Sequence, residues 1–152
     1  MTSKVKPDML KGWKVLVVDD EPDSLEVAHT LLEMYGAQVA TANNGEAGLA
    51  SAREDRPNFI ICDLSMPEMN GWEMVRELKK DRATMDIPII ALTAHAMEGD
   101  RTRAIAAGFH NYLSKPLNPY NFVNDLLKLL MDIPATAAKL NLSDEASAQN
   151  ER

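Results

Sequence analysis

The sequence predicts an α/β fold, a single five-stranded parallel sheet with helices on both faces. Two observations carry this. Short β-branched runs alternate with helical stretches five times along the 152 residues, the pattern of a parallel sheet wound with crossover helices. The runs are continuously apolar rather than alternating, as in strands covered on both faces. Right-handed crossovers leave few other arrangements for such a chain.

The elements follow in order. Val15-Leu16-Val17-Val18 reads as the first strand. A helix is expected over residues 24–35, with Leu25, Ala28, Leu32 and Tyr35 on one face and Gly36 as its stop. Residues 38–41 read as a short second strand, and Asn43 with Glu46 has the capping spacing that opens a second helix, running to Glu54. Pro57 turns the chain into a third strand over 58–62, and Asn70 with Glu73 repeats the capping spacing for a third helix ending at Lys79. Residues 87–92 read as the fourth strand, with Pro88 near its start, where a missing N–H is tolerated. A fourth helix is expected over 97–107, stopping at Gly108, and a short fifth strand within 109–114. Asn118-Pro119 reads as a cap with proline in the first helical position. Phe122, Val123, Leu126, Leu127 and Leu130 then form the inner face of the fifth helix, which Pro134 should end.

The expected organisation is an N-terminal extension over 1–12, one domain over 13–132, and a tail over 133–152. The tail is Ala-, Ser- and Asn-rich and reads either as disordered or as a short helix. It is too short for a DNA-binding output domain.

Apolar residues make up 45% of the chain, enough for a core, and 16 basic against 23 acidic residues give a formal charge of -7. That balance argues against direct nucleic-acid binding or broad attraction to anionic lipid. The one cysteine, Cys62, lies in the apolar run Phe59-Ile60-Ile61-Cys62 and reads as a core residue. No apolar run approaches a membrane span, and Met1 to Gly12 contains no signal-peptide core. A cytoplasmic location without membrane insertion is expected.

Ligands of such sheets bind outside the carboxyl ends of the strands. Asp19, Asp20 and Glu21 directly follow strand one, Asp63 strand three, Thr93 strand four, and Lys115 strand five. Taken singly, each has an ordinary role: Asp as a turn former, Thr as a local hydrogen-bonder, Lys in solvent. Their joint placement points elsewhere. Carboxylates crowded together repel, and a hard divalent cation removes the conflict. Asp63 is then a candidate nucleophile forming an acyl phosphate. Lys115 can neutralise a phosphoryl oxygen and Thr93 can donate to another, leaving the protein mainly positioning and charge stabilisation to supply.

These residues lie in the segments VLVVDDEPD, IICDLSMPEMNGWEM, IIALTAHA and NYLSKPLN. Through them the chain resembles the receiver domains of two-component response regulators, including the single-domain chemotaxis type, from about Lys14 to Leu130. The resemblance implies a (βα)5 flavodoxin-like fold and a phosphorylation-activated signalling switch. It matches Asp63 to the phosphorylated aspartate, Asp20 to the direct metal-binding acid and Asp19 to the acid that holds the metal through water. The Ser65 backbone carbonyl would complete a site for magnesium (or manganese). Thr93 and Lys115 match the phosphate-sensing pair, and Tyr112 the aromatic that turns inward when Thr93 moves. Pro67 and Gly71 match the loop shaping the site, Ser65 and His95 the positions that tune acyl-phosphate hydrolysis, and Lys115–Pro116 a cis peptide bond.

The implied donor is a histidine kinase or histidine phosphotransfer protein, and the implied output an unspecified downstream protein. The face formed by helix four, strand five and helix five would change shape on phosphorylation, and dimerisation through it is a family habit. The chain would not be an enzyme beyond self-catalysed phosphoryl transfer and autodephosphorylation. Two other readings compete. A magnesium-dependent phosphohydrolase usually places a second acid two residues after its nucleophile, where this chain has Ser65. A non-phosphorylated interaction domain of the same fold tends to lose pocket residues, and none is missing here. Nucleotide binding is weaker still, because no Gly-rich loop follows strand one. His29 and His110 join no ligand set and read as structural, and Trp72 reads as packing.

Overall fold

The computed structural model describes residues 6–94 and 100–141. Five strands alternate with helices: β1 (Lys14–Val18), α1 (Pro22–Met34), β2 (Gln38–Ala42), α2 (Gly45–Asp55), β3 (Phe59–Asp63), α3 (Gly71–Lys80), β4 (Ile89–Thr93), α4 (Asp100–Ala107), β5 (Asn111–Ser114) and α5 (Phe122–Met131). All pairings are parallel, in the order β2-β1-β3-β4-β5. The order reverses direction between β1 and β3, and such a point opens a crevice at the carboxyl ends of the strands.

The continuous apolar runs have the expected cause. β3 and β4 are buried at every residue. Alternate side chains feed two cores, one on each face of the sheet. Val15, Val17, Phe59, Ile61, Ile90 and Leu92 meet α1 and α5, with Ala28, Leu32, Phe122, Leu126 and Leu130 packed onto them. Leu16, Val18, Ile60, Cys62, Ile89 and Ala91 meet α2, α3 and α4. Among the described residues no helix is long and apolar enough to cross a membrane.

Local signals act as expected in α1, α3 and α4. Gly36 after α1 and Gly108 after α4 take the positive φ of a helix stop, +96° and +119°. Asn70 and Glu73 form a reciprocal capping box on α3. Two starts differ. The cap of α2 is Asn44, not Asn43: its side chain accepts the Ala47 N–H at 2.8 Å. Asn118 does not cap α5 directly. Its side chain accepts the Tyr120 N–H at 2.8 Å, forming a turn, and the helix begins at Phe122. The expected start of α4 at Met97 lies outside the described residues.

Both flanks of the sheet domain are packed. Residues 6–12 form turns that bury Met9 and Leu10, and the Leu10 N–H donates to the Tyr35 carbonyl at 2.9 Å. Trp13 is buried edge-on against Phe59, with ring centroids 5.9 Å apart. Residues 134–141 form a further helix, α6. Pro134 does not merely follow α5; it opens α6, since a proline's fixed φ suits a first helical turn. Thr136 Oγ1 donates to the Leu130 and Ile133 carbonyls. Leu140 joins the core that holds Leu10, Trp13 and Leu130, and Lys139 Nζ sits 5.5 Å over the Trp13 ring.

Candidate functional site

At the carboxyl edge of the sheet, each candidate residue is placed by the strand before it. β1 delivers Asp19, which is fully buried, while Asp20 and Glu21 remain exposed. β3 ends on Asp63, 3% exposed, and β4 on Thr93, 7% exposed. β5 leads into Lys115, whose N–H donates to the Thr93 carbonyl at 2.8 Å. The following Lys115–Pro116 bond is cis, as the resemblance implied.

Lys115 joins the site together. Its Nζ lies 3.0 Å from Asp19 Oδ2, 3.1 Å from Asp63 Oδ2 and 2.7 Å from Glu21 Oε1. Asp63 Oδ1 accepts the Ser65 N–H at 3.0 Å, and Asp19 Oδ1 the Glu21 N–H at 2.9 Å. Burial raises the Asp63 pKa above the ordinary aspartate value; the Ser65 N–H and the Lys115 ammonium pull the other way and only partly offset it. For Lys115 the balance is reversed. Burial alone would lower its pKa, but hydrogen bonds to Glu21, Asp19 and Asp63 prevail and raise it. The lysine is therefore charged, and Asp63 is an acid held against its preference for water.

Asp19, Asp20 and Asp63 each offer an oxygen, and these oxygens lie within 4.8 Å of one another. Asp19 Oδ2 is buried and, despite its approach to Lys115, no donor among the described residues meets it in hydrogen-bonding geometry. A cluster of hard anionic oxygens with one unsatisfied lone-pair site fits a small hard divalent cation.

The loop after Asp63 is drawn tight. A Cβ on Gly71 would fall inside contact distance of the Asp63 carbonyl oxygen and the Leu64 Cα, so only glycine lets α3 start against the Asp63 backbone. Ser65 and Pro67 are exposed at the crevice edge. Cys62 is buried beneath, its Sγ 3.4 Å from the Asp63 carbonyl. Burial first, then the charges of Asp63 and Asp19, push its thiol pKa up, which removes it as a nucleophile.

Tyr112 is placed beside another cavity, whose lining includes none of Asp19, Asp20 and Asp63. It is half-buried on β5 and lines a groove of about 500 Å³ with Arg101, Pro116, Asn121 and Asp125, between α4 and α5. His95 lies outside the described residues. His29 pairs with Glu33 at 2.9 Å on α1, and His110 Nδ1 accepts the Ile89 N–H at 3.2 Å; neither approaches the acid cluster. The partner the sequence reading did not assign is Glu21. Its signal was present, a third consecutive acid after β1, but only the fold shows that it reaches Lys115.

The model of the response regulator receiver domain family matches residues 15–127. The chain is 37% identical over 105 residues to the protein PilH of Pseudomonas aeruginosa, covering 69% of this chain and 87% of that one. It is 36% identical over 118 residues to the polar-differentiation response regulator DivK of Brucella anthropi, covering 78% of this chain and 96% of that one. Among solved structures, the chemotaxis response regulator CheY4 of Vibrio cholerae superposes with a TM-score of 0.72 at 32% identity, over 77% of this chain and 98% of that one. The receiver domain of a sensor histidine kinase from Pseudomonas aeruginosa, crystallised with a magnesium ion in its active-site cleft, superposes with a TM-score of 0.69 at 31% identity, over 78% and 97%. The family match and these relatives span most of the sheet domain, and the chain belongs to the response regulator receiver family.

Proposed function

We propose that Asp63 accepts a phosphoryl group and that the resulting acyl phosphate shifts the surface of α4, β5 and α5 between two arrangements. The observation that carries this is the convergence of Asp19, Asp20 and Asp63 beside a lysine shared by three carboxylates. A magnesium ion held by Asp19, Asp20, Asp63 and the Ser65 carbonyl would neutralise charge on the incoming phosphoryl oxygens. The donor is a phosphohistidine of a histidine kinase or phosphotransfer protein. A carboxylate oxygen of Asp63 forms the new O–P bond as the donor's N–P bond breaks, and the leaving imidazole keeps the electron pair and takes a proton from solvent.

Lys115 is poised to exchange one of its carboxylate partners for a phosphoryl oxygen, and Thr93 to turn its hydroxyl toward another. Tyr112, half-buried beside the groove, is amphipathic and stable in either position. It follows Thr93 inward, and a downstream protein that prefers the altered face binds. Ser65 stands where a phosphohydrolase would carry a second acid, which favours a slowly resetting switch over multiple turnover.

Intact mass after incubation with acetyl phosphate and magnesium tests the reading. One added phosphoryl group is expected in the parent, and none without magnesium or in Asp63→Asn. Equal labelling of Asp63→Asn would place the acceptor elsewhere.

A further inference from the structure

Helix α4 is lightly anchored. Of its side chains at 101–107 only Ala104 is buried, Ala107 is half-buried and the other five are exposed. Alanine has little apolar surface to remove from water, so burial alone holds this helix weakly. Arg103 adds a longer reach: its guanidinium lies 5.0 Å over the Trp72 ring, within cation–π range. Trp72 also meets Phe109 edge-on, with centroids 5.7 Å apart and planes at 88°. Phe109 is buried where the chain leaves α4 for β5. One indole therefore touches both the helix and its exit.

Trp72 is in turn seated on the acceptor. It is the second residue of α3, directly after Gly71, whose backbone rests on the Asp63 carbonyl. A line of contact thus runs from Asp63 through Gly71, Trp72 and Arg103 to α4 without using Thr93.

We propose that Trp72 and Arg103 form a latch that holds α4 against α3 and so sets the balance between the two arrangements of the output face. The consequence for signalling rests on the switch reading above; the latch itself is a property of the unphosphorylated chain. A small shift of the loop after Asp63 moves the indole, and the guanidinium above it loses or gains its seat.

Amide hydrogen exchange over residues 100–107, measured without phosphodonor or divalent ion, decides it. Arg103→Gln and Trp72→Leu should each speed exchange in α4 about threefold, the size of an exposed cation–π pair, with β1 and α5 unchanged. The double variant should exchange no faster than the faster single one. Multiplying effects, or unchanged α4 exchange, would overturn the latch. Trp72→Phe, which keeps an aromatic face, should lie between Trp72→Leu and the parent, and it replaces Trp72→Leu if that variant does not fold. A second arm follows the rate of labelling by acetyl phosphate, which Arg103→Gln should change at least twofold and Arg103→Lys should largely restore. If Asp63 accepts no phosphate, every variant reads zero in this arm, while exchange still decides the latch.

Discussion

Lys115 Nζ stands 3.1 Å from Asp63 Oδ2, and both side chains are nearly withdrawn from water, 7% and 4% exposed. The same ammonium serves the fully buried Asp19. Removing it leaves two buried carboxylates without a counter-charge, and breaking a buried pair on one side commonly costs 3–5 kcal/mol. The open flank toward Glu21, 61% exposed, tempers that figure. Lys115→Ala should lose about 3 kcal/mol in urea unfolding at pH 7 without divalent ions, and magnesium should return part of it. A variant as stable as the parent would mean that the carboxylates do not depend on the lysine.

Asp63 behaves in the opposite sense. Its folded pKa is raised above 3.8, chiefly by burial, so the folded state holds its proton longer than the unfolded chain does. The stability this contributes is full below 3.8 and is lost as pH rises through the folded value. At pH 7 the ionised group therefore works against the fold. Asp63→Asn should raise the urea midpoint at pH 7 without metal, and the gain should shrink as pH falls through the raised folded value or when magnesium is added. A lower midpoint in metal-free buffer would contradict this balance.

Gly71 gives a steric prediction. The atoms that a Cβ there would meet belong to the backbone of Asp63 and Leu64, which cannot rotate away. Gly71→Ala should cost about 2 kcal/mol, in the range of overpacked sites, and should slow acetyl-phosphate labelling of Asp63. Thermal unfolding beside an intact-mass time course reads both. An unchanged melting temperature would show that α3 can retreat from the loop after Asp63.

The flanks supply the fourth. Leu140 is 8% exposed within the core that holds Trp13. Leu140→Ala should cost about 2 kcal/mol, the low end for a buried leucine near a surface, and should shift Trp13 emission to the red. An unchanged spectrum and midpoint would show α6 to be dispensable to the core.

Much of this architecture was legible because the fold writes strands and site residues next to each other. Asp19, Asp63 and Thr93 each stand at the end of an unbroken apolar run, so placing the strand places the residue. Other features were not local enough to read. Asn43 and Asn44 are equivalent as letters, and the backbone path out of β2 selects the second. Asn118-Pro119 has the grammar of a helix start, yet the chain spends it on a turn. Proline carries two opposite signals, and Pro134 opens a helix where it was expected only to end one. Met9, Leu10 and Trp13 are apolar residues in a short polar stretch, without periodicity to mark them as core. Glu21 needed the distance across the sheet from β1 to β5 to acquire its partner.

The packing of α6 beside Trp13 also decides how the molecule can be handled. Trp13 precedes β1, so α6 meets the N-terminal flank at the amino ends of the strands, while Asp63 lies at their carboxyl ends. A five-residue strand spans about 16 Å. A fluorophore or surface tether joined near residue 6 or residue 141 therefore starts on the far pole of the protein, leaving the face that bears Asp63 clear for immobilised binding measurements.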